Sequence, residues 1–291
     1  MEIIPLYKGK TKNILVISGG GVKGFAALGA LANLIDNDII SFPEIFAGTS
    51  VGAIICFLIN IGYGPRDMYS LLEEIDFTKI IKYIEPEKMF SDCYFGISYP
   101  KLIIQIIYSF MKKKNINKNI TFKELFDITQ SKLIITGTCI NDVSIKYFSI
   151  DTCPNMSILK ALRITISIPI LFKPYLFEGK IWIDGGCMNN FPINLFNDKL
   201  DDVIGIYLDD NFDFLNEITE IQDYFYRIFN CVCKGIDYNK IELYKKYFVH
   251  IITHGNNGTN WNIIQQEKKD LFNVGYECAK KYIENQDYNN N

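Results

Sequence analysis

The chain has 291 residues, of which 48% are hydrophobic and 22% charged, the balance of a soluble globular protein with a substantial core. Its formal net charge is −3 and no long basic stripe runs through it, so nucleic acid is not an expected partner, because binding phosphates needs clustered Lys and Arg. The amino terminus has no basic region followed by an apolar core, and no apolar stretch reaches the ~20 residues that span a bilayer. We therefore expect a cytoplasmic protein without a signal peptide, able to lie on a membrane surface.

Eight cysteines are scattered along the chain. Without a secretory signal they are expected to be free thiols, not disulfides. Cys231 and Cys233 have the wrong spacing for a zinc knuckle and no second ligand pair follows them. We therefore expect no metal and no cofactor.

Strand-like and helix-like patterns alternate at the start of the chain. Apolar runs predict strands at residues 13–18 and 45–47, and apolar residues at helical spacing predict helices at 22–37 and 51–61. Small Gly and Ala residues in the first helix allow it to pack closely against a sheet. Strand, helix, strand, helix implies a right-handed βαβ unit and a parallel sheet.

The next segment is predicted to be mainly helical, over residues 65–75, 77–84 and 100–111. The last of these helices ends in Lys112-Lys-Lys114. We interpret these lysines as a C-terminal cap favoured by the helix dipole. The alternative is a contact with anionic lipid, which three charges alone would hold weakly.

The remaining elements follow from the same patterns. Thr121 and Glu124 have the spacing of a capping box that opens a short helix. With no repeat and no linker, we predict one domain over residues 1–286 and a polar tail over 287–291. The other predictions are strands at 132–140 and 145–150 forming a hairpin, strands at 180–183, 203–208 and 248–253, and helices at 157–166, 217–247 (broken at Gly235) and 261–284.

Two glycine-rich turns stand at strand-to-helix junctions, where open α/β folds build their sites. The first, Gly19-Gly-Gly-Val-Lys-Gly24, matches the dinucleotide-binding fingerprint. That motif requires an acidic residue at the end of the second strand, but Glu44 lies at its beginning. A phosphate-binding P-loop is also excluded, since no Gly-Lys-Ser/Thr ending is present.

The second turn, Gly48-Thr-Ser50-Val-Gly52, has the nucleophile-elbow pattern. A sharp turn exposes Ser50 at its apex, and Gly48 and Gly52 leave the room that the turn needs. The alternative is an ordinary turn with Ser50 as a helix N-cap. The first turn favours the elbow, because the N–H groups of successive glycines can converge on an oxyanion.

A serine nucleophile needs a base. The order Ser50, Asp184, His254 fits the triad order of α/β-hydrolases, and His250 is the other histidine in the chain. However, only one strand-helix unit precedes this elbow, fewer than that fold normally places there. The alternative base is Asp184 itself, at the end of a predicted strand beside Gly185 and Gly186.

These three blocks, in this order, resemble the patatin-like phospholipase family, over about residues 13–210. The resemblance implies a three-layer α/β/α fold with a central, mostly parallel sheet and a Ser-Asp dyad without histidine. Ser50 would then be the nucleophile and Asp184 the base. The loop of the oxyanion hole would be Gly19, Gly20, Gly21 and Val22, and the supporting motif residues would be Lys23, Gly24, Gly48, Gly52, Gly185 and Gly186.

The resemblance implies a phospholipase A-type acyl hydrolase that cleaves fatty-acyl esters of phospholipids or neutral lipids through an acyl-enzyme. Its partners would be a phospholipid or acylglycerol substrate and a membrane surface. Residues 94–111 and 168–177 are candidates for an apolar mouth. Lys23 stands where the family usually has Arg, which keeps the charge but loses the bidentate fork. Two other hypotheses stay open: a Ser-His-Asp esterase, and a catalytically silent lipid-binding or scaffold protein.

Overall fold

The computed structural model describes residues 12–80, 95–211, 217–218, 221–254 and 261–289. The strands are β1 (Ile14–Ile17), β2 (Ile45–Gly48), β3 (Gly96–Ser98), β4 (Lys132–Cys139), β5 (Ser144–Phe148), β6 (Ile170–Phe172), β7 (Tyr175–Phe177), β8 (Lys180–Asp184), β9 (Val203–Asn211) and β10 (Phe248–His254). The α-helices are α1 (Gly24–Asp36), α2 (Val51–Asn60), α3 (Pro65–Leu72), α4 (Lys101–Lys113), α5 (Phe122–Thr129), α6 (Ile158–Thr165), α7 (Gly186–Asn189), α8 (Ile221–Tyr244) and α9 (Gln265–Asn289). Short 3-10 helices cover Gly21–Lys23, Phe77–Ile80, Pro192–Phe196, Leu200–Asp202 and Lys245–Tyr247.

The main sheet has the strand order β10-β9-β1-β2-β4-β8-β7, with β5 beside β4. The neighbours from β10 to β4 are parallel, whereas β8, β7 and β5 are antiparallel to their neighbours. The parallel strands β1 and β2 each lead into a helix, so their carboxyl ends meet at one edge. The predicted mostly parallel sheet is confirmed.

Both faces of the sheet are buried. On β1, Leu15 and Ile17 face the larger core, which contains Leu28 of α1. Ile14 and Val16, one residue out of step, face the smaller core around Pro192–Phe196. Because successive side chains of a strand point to opposite faces, these two cores require a helical layer on each side, which confirms the three-layer α/β/α fold.

Helix α1 also touches α9 backbone to backbone. A Cβ atom added to Gly29 would lie 1.8 Å from Phe272 O, and one added to Gly275 would lie 1.8 Å from Ala26 O. Some of the small residues that the sequence assigned to packing against the sheet therefore make room for the last helix.

Several element boundaries differ from prediction. Helix α8 continues through Gly235, where a break was predicted. Glycine costs only ~1 kcal/mol in a helix, a weak preference that tertiary packing overcomes. Helix α9 extends to Asn289, so it runs into the predicted tail. Of the helix predicted at 77–84, Phe77–Ile80 is a 3-10 helix and the rest lies outside the described residues.

The predicted caps are present. Thr121 and Glu124 form the capping box, with Thr121 N–H donating to Glu124 Oε2 at 2.8 Å. Lys112 and Lys113 lie in the last turn of α4, and Lys114 Nζ donates to Gly62 O at 2.7 Å. The positions of Lys112 and Lys113 agree with the interpretation as a cap of α4, whereas Lys114 binds a carbonyl just after α2.

Two further findings concern the predicted class of protein. Within the described ranges, no helix is both long enough and apolar enough to span a bilayer. The cysteines that the structure describes are free thiols, as predicted, and Cys93 lies outside those ranges.

Candidate active site

Ser50 stands at a strained turn between β2 and α2. Its φ angle is 53°, in the left-handed region that costs a residue with a side chain energy. Its N–H donates to Thr165 Oγ1 at 2.9 Å, which holds the turn against α6. The side chain is 7% exposed. This geometry is that of the nucleophile elbow.

The two glycines of the elbow are required by close contacts with the backbone. A Cβ on Gly48 would lie 2.6 Å from Ala53 N, and a Cβ on Gly52 would lie 2.3 Å from Ile17 O. Neither position has room for a side chain. Gly52 therefore brings the start of α2 directly against β1.

Asp184 ends β8 and is 1% exposed. Its Oδ1 accepts the N–H of Gly186 at 2.7 Å, while its Oδ2 has no hydrogen-bond partner in the described part of the chain. Burial raises the pKa of Asp184 to about 7, against the opposing effects of the Gly186 N–H and the Ser50 side chain. One carboxylate oxygen is thus held in place and the other is available to accept a proton.

Ser50 and Asp184 line the same polar cavity, together with Gly19, Gly20 and Gly21. The Ser50 hydroxyl is near enough to lower the pKa of Asp184, although Asp184 Oδ2 makes no hydrogen bond to it.

The first glycine turn lies beside the elbow. A Cβ on Gly19 would be 3.2 Å from Ser50 Cβ, and the Gly19 N–H donates to Asn190 O at 3.2 Å. Gly19 is therefore close to the serine, but its N–H is already engaged. The N–H groups of Gly20, Gly21 and Val22 have no acceptor among the described residues.

Lys23 links this turn to strand β9 through an ion pair with Asp210. Its Nζ lies 2.7 Å from Asp210 Oδ2, and both side chains are buried. Burial lowers the pKa of Lys23, and the charge of Asp210 opposes that effect. Where the family usually has a forked guanidinium, this chain holds the turn with a single buried ion pair to the end of β9.

Other motif glycines are also packed tightly. A Cβ on Gly24 would lie 2.7 Å from Val51 Cγ2, and one on Gly185 would lie 2.7 Å from Thr136 O. A Cβ on Gly186 would be 3.1 Å from Asp184 Oδ1. The first two blocks are therefore in direct contact, and the third contributes Asp184 to the polar cavity that they line.

A hydrogen-bond chain supports the elbow from the next strands. Thr49 Oγ1 lies within hydrogen-bond distance of Thr136 Oγ1 and, at 3.0 Å, of Asn189 O. Thr136 Oγ1 donates to Gly48 O at 2.9 Å. Sequence reasoning did not identify these residues, nor Thr165 and Asn190, because their partners are distant in the chain.

His250 lies elsewhere. It lies on the edge strand β10, which is separated from β2 by β9 and β1. Its Nε2 is 3.1 Å from Oδ2 of Asp209 on β9. Three strand spacings amount to roughly 14 Å. Although burial opposes its ionisation, Asp209 has a pKa lowered to about 2 by His250 and Lys234. The side chain of His254 lies outside the described residues.

An apolar cavity opens from the other side of Ser50. It has an empty volume of about 850 Å³, its mouth included, and its wall includes Ile54, Ile103, Ile107 and Phe172. The predicted apolar segments 94–111 and 168–177 both contribute to this wall, and Tyr94 lies outside the described residues.

The fold and this site are those of a three-layer α/β protein with a serine elbow beside a buried aspartate. The family model described as patatin-like phospholipase matches residues 15–197, well over half of the chain. The chain belongs to the patatin-like phospholipase family, which confirms the resemblance found in the sequence.

Two viral proteins and one solved structure are similar to this chain. The chain is 37% identical over 195 residues to Uncharacterized protein R571 of Acanthamoeba polyphaga mimivirus, covering 66% of this chain and 64% of that protein. It is 36% identical over 191 residues to Probable lipid hydrolase 463L of Invertebrate iridescent virus 6, covering 65% and 64%. The matches thus span just under two thirds of these relatives. VipD from Legionella pneumophila has a similar fold, with a TM-score of 0.63 at 16% identity, covering 97% of this chain and 68% of that one.

Proposed function

We propose that this protein is a lipid acyl hydrolase of the phospholipase A type, cleaving fatty-acyl esters of phospholipids or neutral lipids. One observation carries the proposal: Ser50 lines two cavities at once. One is polar and contains Asp184 and the glycine turn; the other is almost entirely apolar. An ester with a fatty-acyl chain has the same division, with a reactive polar group joined to a long apolar tail.

The first half-reaction forms an acyl-enzyme. Ser50 Oγ attacks the ester carbonyl carbon while its proton passes to Asp184 Oδ2. The carbonyl electron pair moves to oxygen, and this oxyanion accepts hydrogen bonds from the N–H groups of Gly20, Gly21 and Val22. When the carbon–oxygen bond to the alcohol breaks, the proton on Asp184 goes to the departing alcohol oxygen.

In the second half-reaction water takes the place of the alcohol and the acyl-enzyme is hydrolysed. Asp184 takes a proton from water, whose oxygen attacks the acyl carbon and displaces Ser50 Oγ, which recovers the proton. Each oxyanion-hole donor is worth ~3 kcal/mol of transition-state stabilisation. Because the proposed donors are main-chain groups, replacing the family's Arg by Lys23 leaves them in place.

Two observations weigh against the alternative hypotheses. His250 is paired with Asp209 at the far side of β9 and β1, which disfavours it as a base. A silent scaffold has no need for a buried carboxylate, since a buried charge without full compensation destabilises the fold. Asp184 is such a group, as one of its oxygens lacks a partner.

The test is fatty-acid release from mixed phospholipid micelles by the unaltered protein, Ser50→Ala and Asp184→Asn. The proposal expects both variants to be inactive and His250→Gln and His254→Gln to keep their activity. Activity in Ser50→Ala would overturn the elbow as the reacting site. Loss of activity on replacing a histidine, with the fold intact by circular dichroism, would favour the triad.

A further inference from the structure

A third cavity contains a buried arginine, Arg163, for which the described residues provide no counter-ion. Arg163 on α6 is 7% exposed. Its Nη1 donates to Ser167 Oγ and its Nη2 donates to Lys173 O at 2.6 Å. No carboxylate in the described ranges forms an ion pair with it.

Two tyrosine rings also flank the guanidinium. Arg163 Cζ lies 5.6 Å from the ring centroids of Tyr99 and Tyr175. Cation–π contacts compensate part of the desolvation of a charge, but a buried cation normally also has an anion beside it. Burial lowers the pKa of Arg163 to about 10, so at neutral pH the group still carries its full charge.

The cavity next to Arg163 is basic. It has an empty volume of about 980 Å³ with its mouth included, and it is also lined by Lys101, Lys118 and Lys160. None of its described lining residues is acidic. We call this cavity the basic groove. Four positive charges around one open space favour an anion, and a forked guanidinium suits the oxygens of a phosphate.

We propose that the basic groove binds the phosphate group of an anionic phospholipid at a membrane surface, with Arg163 at its base and the three lysines at its sides. The lipid phosphate supplies the counter-ion that Arg163 lacks among the described residues. This site is separate from Ser50, and the proposal goes beyond hydrolysis to say how the protein docks on a lipid surface.

The surroundings of the groove favour a lipid surface over a soluble phosphate. Two aromatic rings line it, those of Tyr99 and Tyr175, and Tyr99 is 48% exposed. Aromatic rings suit the headgroup level of a membrane. A small soluble anion does not require exposed aromatic side chains beside its site.

Helix α4 connects the groove with the candidate active site. Lys101 and Ile104 line the basic groove, whereas Ile103 and Ile107 line the apolar cavity beside Ser50. One helix, ~10 Å across, thus separates the two. Docking through the groove would hold the apolar cavity close to the lipid surface from which a substrate must come.

The test is sedimentation with vesicles of phosphatidylcholine alone or with added phosphatidylglycerol. The protein is Ser50→Ala, so that no lipid is consumed and the result does not depend on the proposed hydrolysis. The groove variant adds Lys101→Gln, Lys118→Gln and Lys160→Gln. Its matched control adds Lys123→Gln, Lys269→Gln and Lys280→Gln, which are exposed on α5 and α9 and remove the same charge.

We expect the groove variant to lose on the order of 100-fold in affinity for the phosphatidylglycerol vesicles, since a lysine near an anionic surface contributes about fivefold. The control should lose no more than a few-fold. Equal losses in both variants would overturn the groove, because they would reflect net charge alone. Equal binding of the starting protein to both vesicles would overturn the proposal as well.

Arg163→Lys tests the base of the groove. It keeps the charge but loses the fork, so it should weaken vesicle binding about tenfold while the melting temperature shows that the protein is folded. If the Arg163→Lys variant binds vesicles as tightly as the protein with Arg163, then Arg163 does not bind the lipid phosphate. Inorganic phosphate distinguishes a soluble anion from a lipid headgroup. If phosphate raises the melting temperature of the protein while the groove variant binds vesicles as tightly as the starting protein, the groove does not bind lipid and the proposal is wrong.

Discussion

The ammonium group of Lys23 lies 2.7 Å from the carboxylate of Asp210, and the two side chains are only 3% and 4% exposed. This pair joins the glycine turn after β1 to the end of the neighbouring strand β9. Lys23 Cε would also lie 3.3 Å from a Cβ added to Gly20, so the lysine packs directly beneath the proposed oxyanion donors. The positive charge of Lys23 therefore pairs with Asp210 and holds the glycine turn against β9.

Lys23→Met should destabilise the protein by ~3–5 kcal/mol, because it removes one partner of a buried ion pair. Lys23→Met with Asp210→Asn should cost clearly less than the sum of the single changes, as urea unfolding would show. The hydrolytic rate of the double variant should nevertheless be lower than that of the unaltered protein, since the ion pair no longer fixes the glycine turn. Additive effects on stability would contradict the coupling of the two residues.

Hydrolysis should depend on the ionisation of Asp184. The base must be deprotonated to accept a proton, and burial raises the pKa of Asp184 to about 7. The rate should therefore rise about tenfold per pH unit below pH 7 and level off above it. Since a histidine could give the same profile, the measurement is repeated on His250→Gln and His254→Gln. A profile that disappears in either variant would point to that histidine.

The same shift predicts a pH-dependent stability difference. The pKa of Asp184 is raised in the folded state, so the unfolded state releases its proton first and stability falls as pH rises from about 4 to about 7. Asp184→Asn cannot ionise and escapes this loss. Its melting temperature relative to that of the unaltered protein should rise between about pH 4 and pH 7 and level off above that. The gap between about 7 and 3.8 corresponds to at most ~4 kcal/mol. A constant difference across this range would contradict the buried, proton-binding Asp184.

Adjacent residues on α4 offer a test of the apolar cavity as the acyl site. Ile103 lines that cavity and Ile104 lines the basic groove, while both are half-buried. Ile103→Phe fills space needed by an acyl chain, so it should lower kcat/KM for long-chain esters ~10-fold or more relative to short-chain esters. Ile104→Phe should leave this ratio unchanged. The ratio is measured with p-nitrophenyl esters of increasing chain length, and equal effects of both changes would exclude the cavity.

The sequence predicted the parallel sheet and the three blocks at its edge because these depend on local patterns. Glycines around Ser50 are demanded by the turn itself, since a Cβ on Gly48 would meet the backbone at Ala53 N. Such short-range requirements leave a readable signal in a single sequence. The family resemblance then ordered the blocks into one site.

What the sequence did not predict involves partners far apart along the chain. Thr165 supports Ser50 across 115 positions, and nothing near either residue indicates the other. Asp210 was visible only as one of two acidic residues after a strand. Lys23, a charged residue between a buried strand and a long apolar helix, was the available signal that a buried counter-ion had to exist. The continuity of α8 through Gly235 depends on tertiary contacts, which outweigh the local preference of glycine.

The contact between α1 and α9 provides a final test, with a control inside the same protein. Gly29→Ala places a Cβ 1.8 Å from Phe272 O, so the helices must separate, and we expect a loss of ~3 kcal/mol or more from disturbed core packing. Gly235→Ala in α8 places its Cβ where nothing lies within 4 Å, so it should instead raise stability by ~0.5–1 kcal/mol through helix propensity. Thermal and urea unfolding would measure both changes. A stable Gly29→Ala would mean that α9 does not pack against α1 at this distance, and a destabilised Gly235→Ala would mean that this stretch of α8 is not helical.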